Sequence, residues 1–290
     1  MQTTAPMPAE STAAVTGEAA RSTTRTSTST TAGTPLVSVQ SLTMAFGRRV
    51  LQRDLNFDIR SGEVLAIVGG SGCGKSTLLR HLIGLQEPAA GRVLYGEHDL
   101  YASDPATLAR LRREFGVTFQ AGALWSSMTV GENVMLPLQM FSPLSAAQRE
   151  QEARFKLALV GLAASFDAEP AALSGGMKKR AAIARALALD PALLFLDEPS
   201  AGLDPLTSAD LDELILHLRN DLGTTVVMVS HELESIYAVA DRLLFLDAAT
   251  QTMTALGPPR ELQRDGPPTV QAFLRRGAPA PTAAAEGQTP

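Results

Sequence analysis

Nine residues, Gly69-Gly70-Ser71-Gly72-Cys73-Gly74-Lys75-Ser76-Thr77, restrict the folds open to this chain of 290 residues more than any other feature. They fit G-x-x-x-x-G-K-[ST], a loop whose glycines let successive backbone N–H groups turn inward around phosphate oxygens. Ahead of them, Val64-Leu65-Ala66-Ile67-Val68 is an unbroken apolar run, as a strand buried on both faces requires. Behind them, Leu78-Leu79-Arg80-His81-Leu82-Ile83 has helical spacing and meets no breaker until Gly84. Strand, loop and helix N-terminus thus come in the order that presents backbone donors and the positive end of a helix dipole to an anion. Lys75 is expected to reach the β- and γ-phosphates of a nucleotide, and the Ser76 hydroxyl to ligate Mg²⁺. Cys73 reads as a small filler of the loop rather than a reactive thiol.

Composition sets outer limits. Hydrophobic residues make up 45% of the chain, enough for a packed core, and the net charge of −5 argues against a general nucleic-acid partner. One cysteine rules out an intrachain disulfide. No run of 18 apolar residues occurs, so a membrane role must come through a partner. Residues 1–34 hold fifteen Ser and Thr with no apolar periodicity and are expected to be a disordered tail. The tail lacks the apolar core of a secretory signal, and Glu10, Glu18 and a first arginine as late as Arg21 argue against an organelle transit peptide. A second disordered tail, Ala/Pro-rich, is expected over 277–290.

Between the tails the pattern is α/β. Val37, Val39, Leu42, Met44 and Phe46, then Leu51, Leu55, Phe57 and Ile59, alternate as two antiparallel strands should. Phe46 stands where a ring stacks on adenine, or else packs in the core of the small sheet. A hairpin is expected around Gly96-Glu97, and a helix from Ala106 to Glu114 opened by Asp104-Pro105. Phe115–Phe119 reads as a short strand delivering Gln120 to the edge where ligands gather in parallel sheets. From about 121 to 189 the chain reads as an inserted helical subdomain, with capping boxes at Thr129 and Ser145. Its apolar residues, Trp125 included, are most simply core; some alternatively line a groove for a partner helix.

A second polar glycine turn, Leu173-Ser174-Gly175-Gly176-Met177, leads to a helix expected over Lys178–Leu189, a further anion site. The strand Ala192–Leu196 carries Asp197 and Glu198 to the sheet edge. Asp197 is positioned for Mg²⁺, and Glu198, diverging from it, for the attacking water. After the turn Ser200–Pro205 and an amphipathic helix, Thr224–Val229 presents Ser230-His231. His231 reads as a γ-phosphate or water contact, the alternative being a solvent-facing start of the next helix. A closing hairpin and one terminal helix starting at Arg260–Gln263 complete the pattern.

Taken together, these motifs resemble the ATP-binding cassette (ABC) family over roughly Leu36–Arg276. The resemblance implies an α/β P-loop ATPase core with a mostly parallel sheet, an N-terminal antiparallel β-subdomain and the inserted helical subdomain, within a cassette over 35–276. It makes Gly69–Thr77 the Walker A loop, Gln120 the Q-loop glutamine beside metal and water, and Ser174, Gly175 and Gly176 the signature. Asp197 becomes the Walker B aspartate, Glu198 the catalytic glutamate, Asp204 the D-loop aspartate and His231 the switch histidine; Phe46 falls at the A-loop position, where Tyr is commoner. Met177 departs from the usual signature glutamine. ATP and Mg²⁺ are the implied cofactors, and a head-to-tail dimer sandwiching two ATP molecules is the implied working form.

A finer resemblance rests on Gly122–Val130, Leu173–Arg180, Ser230–Ile236 and Val270–Leu274. These stretches are similar to ATPases that serve MCE-domain proteins in phospholipid transporters of the Mla type. Membrane permease subunits and an MCE-domain protein would then be partners, at the cytoplasmic face of the inner membrane. Rival readings are an ATPase of an amino-acid or other small-solute importer, a soluble ABC ATPase of DNA repair or translation, and a scaffold that binds ATP without turnover. A coiled-coil insertion or second cassette, usual in the soluble class, does not occur, and Lys75, Asp197, Glu198 and His231 are all present for turnover.

Overall fold

In the computed structural model, described for residues 35–275 and Met1, the apolar runs alternate sides strand by strand. On β3 (Val64–Gly69), Val64, Ala66 and Val68 enter one core cluster while Leu65 and Ile67 enter the other. The same division holds on β7 (Leu193–Asp197), β8 (Thr225–Val229) and β9 (Arg242–Asp247). Burial on both faces is why these strands read as continuous hydrophobic runs rather than alternating ones. With β6 (Phe115–Thr118) and β10 (Thr252–Gly257) they form a sheet of order β10-β9-β3-β8-β7-β6, parallel except for the β10 edge.

The second sheet is antiparallel, of order β2-β1-β4-β5, from β1 (Pro35–Phe46), β2 (Arg49–Arg60), β4 (Ala90–Tyr95) and β5 (His98–Asp99). Its inward residues, Val37, Leu42, Met44, Leu55 and Ile59, share a core with Leu78, Leu79 and Leu82 of α1 (Lys75–Leu82). On the opposite face lie α3 (Val130–Phe141), α4 (Ala146–Leu159), α5 (Gly175–Ala186), α6 (Pro205–Leu222) and α7 (Leu233–Val239), whose buried residues join the other cluster. The expected α/β architecture is therefore present: mostly parallel sheet, antiparallel β-subdomain and helical insertion.

Several local expectations need correction. The signature helix starts at Gly175, not Lys178, and ends at Ala186: Ser174 Oγ accepts the Met177 N–H, and first-turn N–H groups need no intrahelical partner, so two glycines fit there. The helix after Asp104, α2 (Pro105–Leu111), stops before Glu114 because Arg113 and Glu114 bond three residues back, tightening into a 3₁₀ turn. Two terminal helices stand where one was expected, α8 (Pro259–Asp265) and α9 (Pro268–Arg275), divided at Gly266-Pro267. Gln271 Nε2 donates to the Arg264 and Gly266 carbonyls and so satisfies the broken end of α8. Trp125 is not core: it is 58% exposed, because Asn133, not the indole, anchors its loop. Both capping boxes, at Thr129 and Ser145, form as expected. The tails expected over 1–34 and 277–290 lie outside the described residues, Met1 apart.

Candidate functional site

The C-terminal edge of the parallel sheet gathers β3, β6, β7 and β8, and four of the residues singled out in sequence sit at or just beyond those strand ends. Glu198, one residue beyond β7, is the meeting point. Gln120 Nε2 donates to Glu198 Oε2 at 2.9 Å, and His231 Nδ1 lies 3.3 Å from Glu198 Oε1. Lys179, from α5, donates to the Glu198 backbone carbonyl at 2.8 Å, while the Glu198 N–H donates to Val229 O. Glu198 sits at φ +48, a left-handed conformation unusual for a side chain of its size and held here by bonds from β8 and α5. His231 stands in the link between β8 and α7, exposed, and faces the carboxylate rather than starting the helix.

Beneath this cluster, the Ser76 hydroxyl donates to Asp197 Oδ1 at 3.3 Å, joining the loop that follows β3 to the end of β7. Burial pushes the Asp197 carboxyl above its ordinary range, opposed by the Ser76 hydrogen bond. Burial likewise lowers the Lys179 ammonium, opposed by the charges of Glu198, Glu232 and Asp197. Lys75 Nζ is held by the Gly69 and Gly70 carbonyls, at 3.0 and 3.2 Å.

The loop needs two of its glycines for its own packing. At Gly69, φ +149, a Cβ would lie 2.3 Å from Leu246 O of β9; at Gly74, φ +104, it would lie 2.9 Å from Met44 Cε. Gly70 is different, with no neighbour within 4 Å of a Cβ and no positive φ. Among the described residues, no backbone acceptor takes the N–H of Gly72 or Gly74. Cys73 is buried and its thiol pKa is raised by that burial, consistent with a filler.

The remaining expected residues are not brought to this cluster. Phe46, 51% exposed at the end of β1, is not core, which overturns one of its two readings. Ser174 and Gly175 are exposed at the start of α5; Gly176 is buried, and a Cβ there would lie 2.4 Å from Thr207 Cγ2 on α6. Asp204 caps α6, accepting from Thr207 N at 3.0 Å, and its carboxyl is held below the usual range by the Thr207 hydroxyl and amide. Among the described residues, no hydrogen bond joins Ser174 or Asp204 to Gly69–Thr77. Among the described residues, the starts of α1 and α5 are therefore separate from one another within one chain.

Sequence reasoning missed three supports. Lys179 holds Glu198, Gln52 holds the phosphate-type loop, and Asn133 ties down residues 125–129; the first two reach partners 19 and 21 residues away, while Asn133 reaches back four to eight residues.

Comparison with known proteins is consistent with this geometry. A family model described as ABC transporter matches residues 52–201. Among curated relatives, the methionine import ATP-binding protein MetN of Xanthomonas oryzae pv. oryzae is 42% identical over 219 residues, 74% of this chain. The chain spans only 64% of that relative's length. The intermembrane phospholipid transport system ATP-binding protein MlaF of Escherichia coli is 36% identical over 239 residues, covering 82% of this chain and 88% of the relative. Among solved structures, a dimeric post-hydrolysis state of the ATP-binding cassette MJ0796 bound to ADP and Pi superimposes with a TM-score of 0.69 at 30% identity. That superposition covers 77% of this chain and 98% of the cassette.

Proposed function

The chain belongs to the ABC transporter family of ATPases, and on that premise we propose that it hydrolyses ATP in a head-to-tail dimer that drives a membrane permease. The observation carrying this reading is the convergence of Gln120, His231 and Lys179 on Glu198, beside the Ser76–Asp197 pair at one sheet edge. ATP suits the loop: Gly70 is a glycine that neither backbone strain nor a neighbouring atom requires, which leaves close approach by a ligand as the reason for it. The N–H groups of Gly72 and Gly74 without backbone partners supply anion donors, and Lys75 supplies the charge. Phe46, its ring exposed, offers a stacking face for adenine.

Mg²⁺ suits the site as well. A hydroxyl and a carboxylate oxygen, from Ser76 and Asp197, are hard donors, and Mg²⁺ characteristically takes few protein ligands and completes its shell with water and phosphate oxygens. Gln120 is its third candidate contact. The ion, when bound, neutralises charge on the β- and γ-phosphates. The rest of the mechanism belongs to side chains: Glu198 orients and deprotonates water, Gln120 and His231 hold that carboxylate, and Lys75 draws the γ-phosphate into the cradle. Ser174, Gly175, Gly176 and Asp204 close over the nucleotide of a second copy, their helix starts supplying donors its own cradle lacks.

Lys75→Ala is expected to weaken ATP binding, whereas Glu198→Gln preserves binding and lowers turnover by about 10²–10⁴-fold, the usual scale of a lost general base. Equal loss of affinity in both variants would remove these roles.

For cargo, the reading is phospholipid, moved between the two membranes of a Gram-negative envelope with permease subunits and an MCE-domain protein, this subunit sitting at the cytoplasmic face. Support comes from the stretches 122–130, 173–180, 230–236 and 270–274 and from a phospholipid-transport relative matched over 88% of its length. The 42% identity to a methionine-import relative favours the rival, a small-solute importer. Purifying the complex through this subunit separates them: an MCE-domain protein and bound lipid support the first, an amino-acid permease without lipid the second. The division into a tail over 1–34, a cassette over 35–276 and a tail over 277–290 is part of the same proposal.

A further inference from the structure

Gln52 lies on β2, in the antiparallel sheet, yet its side chain is wholly buried and reaches the phosphate loop. Its Nε2 donates to Cys73 O at 2.8 Å and to Asp247 O, at the end of β9, at 3.1 Å. Its Oε1 is buried and has no hydrogen-bond partner. For the fold alone the choice is costly: Nε2 satisfies two carbonyls, but the same side chain strands an acceptor within the cluster that holds Met44, Leu55 and Cys73.

The geometry of a peptide unit gives the glutamine a purpose. In a trans peptide the carbonyl and the following N–H point in opposite directions, so fixing Cys73 O fixes the direction of the Gly74 N–H. The Cys73–Gly74 peptide lies next to Gly72, φ +76, and includes Gly74, φ +104. Glycines tolerate either sense of such a peptide, so flipping it has little steric cost without an external hold. Gly74 N–H is one of the loop donors with no backbone acceptor among the described residues. We propose that Gln52 is a positioning residue for nucleotide binding: by holding Cys73 O against the β-subdomain, it keeps the Gly74 N–H turned into the phosphate cradle. The bond to Asp247 O gives Nε2 a second fixed point on the central sheet, so the amide cannot swing away from the loop.

This rests on the ATPase reading, and the test keeps the two apart. Wild type, Lys75→Ala, Gln52→Met and Gln52→Glu are compared for equilibrium ATP affinity, steady-state ATPase activity and melting temperature. Gln52→Met keeps the volume and removes the donor; Gln52→Glu keeps the shape with acceptors only. The contact exists before and during the reaction, so its loss is uniform binding: Kd and KM for ATP rise about tenfold, the scale of one charge-assisted hydrogen bond, with kcat within about twofold. Melting temperature in Gln52→Met falls, since the Cys73 and Asp247 carbonyls lose their donor, but only modestly because the stranded oxygen goes with it. A folded Gln52→Met with unchanged Kd and KM, or with reduced kcat at unchanged KM, overturns the proposal. So does failure of both Gln52 variants to fold, which would assign the residue to the fold alone. Wild type that binds no more ATP than Lys75→Ala would instead sink the ATPase reading itself.

Discussion

Glu198 is the residue on which the most separate parts of the chain act: β6 through Gln120, the β8–α7 link through His231, and α5 through Lys179. Since these neighbours orient the carboxylate and do not build the cradle, Gln120→Ala and His231→Ala are each expected to lower kcat about 10²-fold with ATP affinity near wild type, as stopped assays and equilibrium binding would report. Asp212, on α6, gives a pH effect away from the site. It is 8% exposed, and burial pushes its carboxyl up to about 6, opposed by a hydrogen bond from Ser235 and reinforced by the charge of Glu232. The folded chain therefore holds this proton more tightly than the unfolded one, so the contribution to stability is full below about pH 4, falls as pH rises, and is gone above about pH 6. Asp212→Asn should accordingly melt higher than wild type at pH 7.5 by a margin that closes towards about pH 4; a pH-independent margin would contradict the assignment. Lys75, Asp197, Glu198 and His231 were legible in sequence because each follows an apolar strand or glycine loop. Gln52 was not: its two partners lie 21 and 195 residues away, and a lone glutamine in a strand carries no signal until the sheets meet.

At the scale of elements, helix starts decide most of the geometry. Ser174 and Asp204 open α5 and α6 by the same device, a side-chain oxygen on an early N–H, and the two starts interlock where Gly176 meets Thr207. Asn133 plays the corresponding part in the insertion: wholly buried on α3, it donates to the carbonyls of Trp125 and Thr129 and accepts from Trp125 N–H. Asn133→Ala strands those backbone groups, and a loss of about 2–4 kcal/mol is expected in urea unfolding, with ATP affinity unchanged. A shift below about 0.5 kcal/mol would mean the 125–129 loop is held otherwise. Strand identities and both capping boxes were readable from period and cap chemistry. Sequence places the signature helix three residues late because propensity counts glycine against a helix, whereas a capped first turn tolerates it. Trp125 departs from its expected burial for a related reason: apolar identity predicts burial, but the loop's polar anchor makes that burial unnecessary.

The whole molecule presents the cluster around Glu198 with the Gly69–Thr77 loop and, apart from the loop, the exposed helix start at Ser174, with no hydrogen bond between loop and helix start among the described residues. Among the described residues, no helix is long and apolar enough to cross a membrane. Dimerisation follows physically if the γ-phosphate is the charge that both half-sites share, for then the closed state exists only while ATP is intact. Sedimentation velocity on Glu198→Gln, with saturating ATP and Mg²⁺ and then with ADP, tests this most directly, repeated after adding Ser174→Arg. The expected result is a dimer with ATP, monomer with ADP, and monomer in both nucleotides once Ser174 is replaced. A chain that stays monomeric with ATP, or an ATP-dependent dimer indifferent to Ser174→Arg, would contradict the shared site.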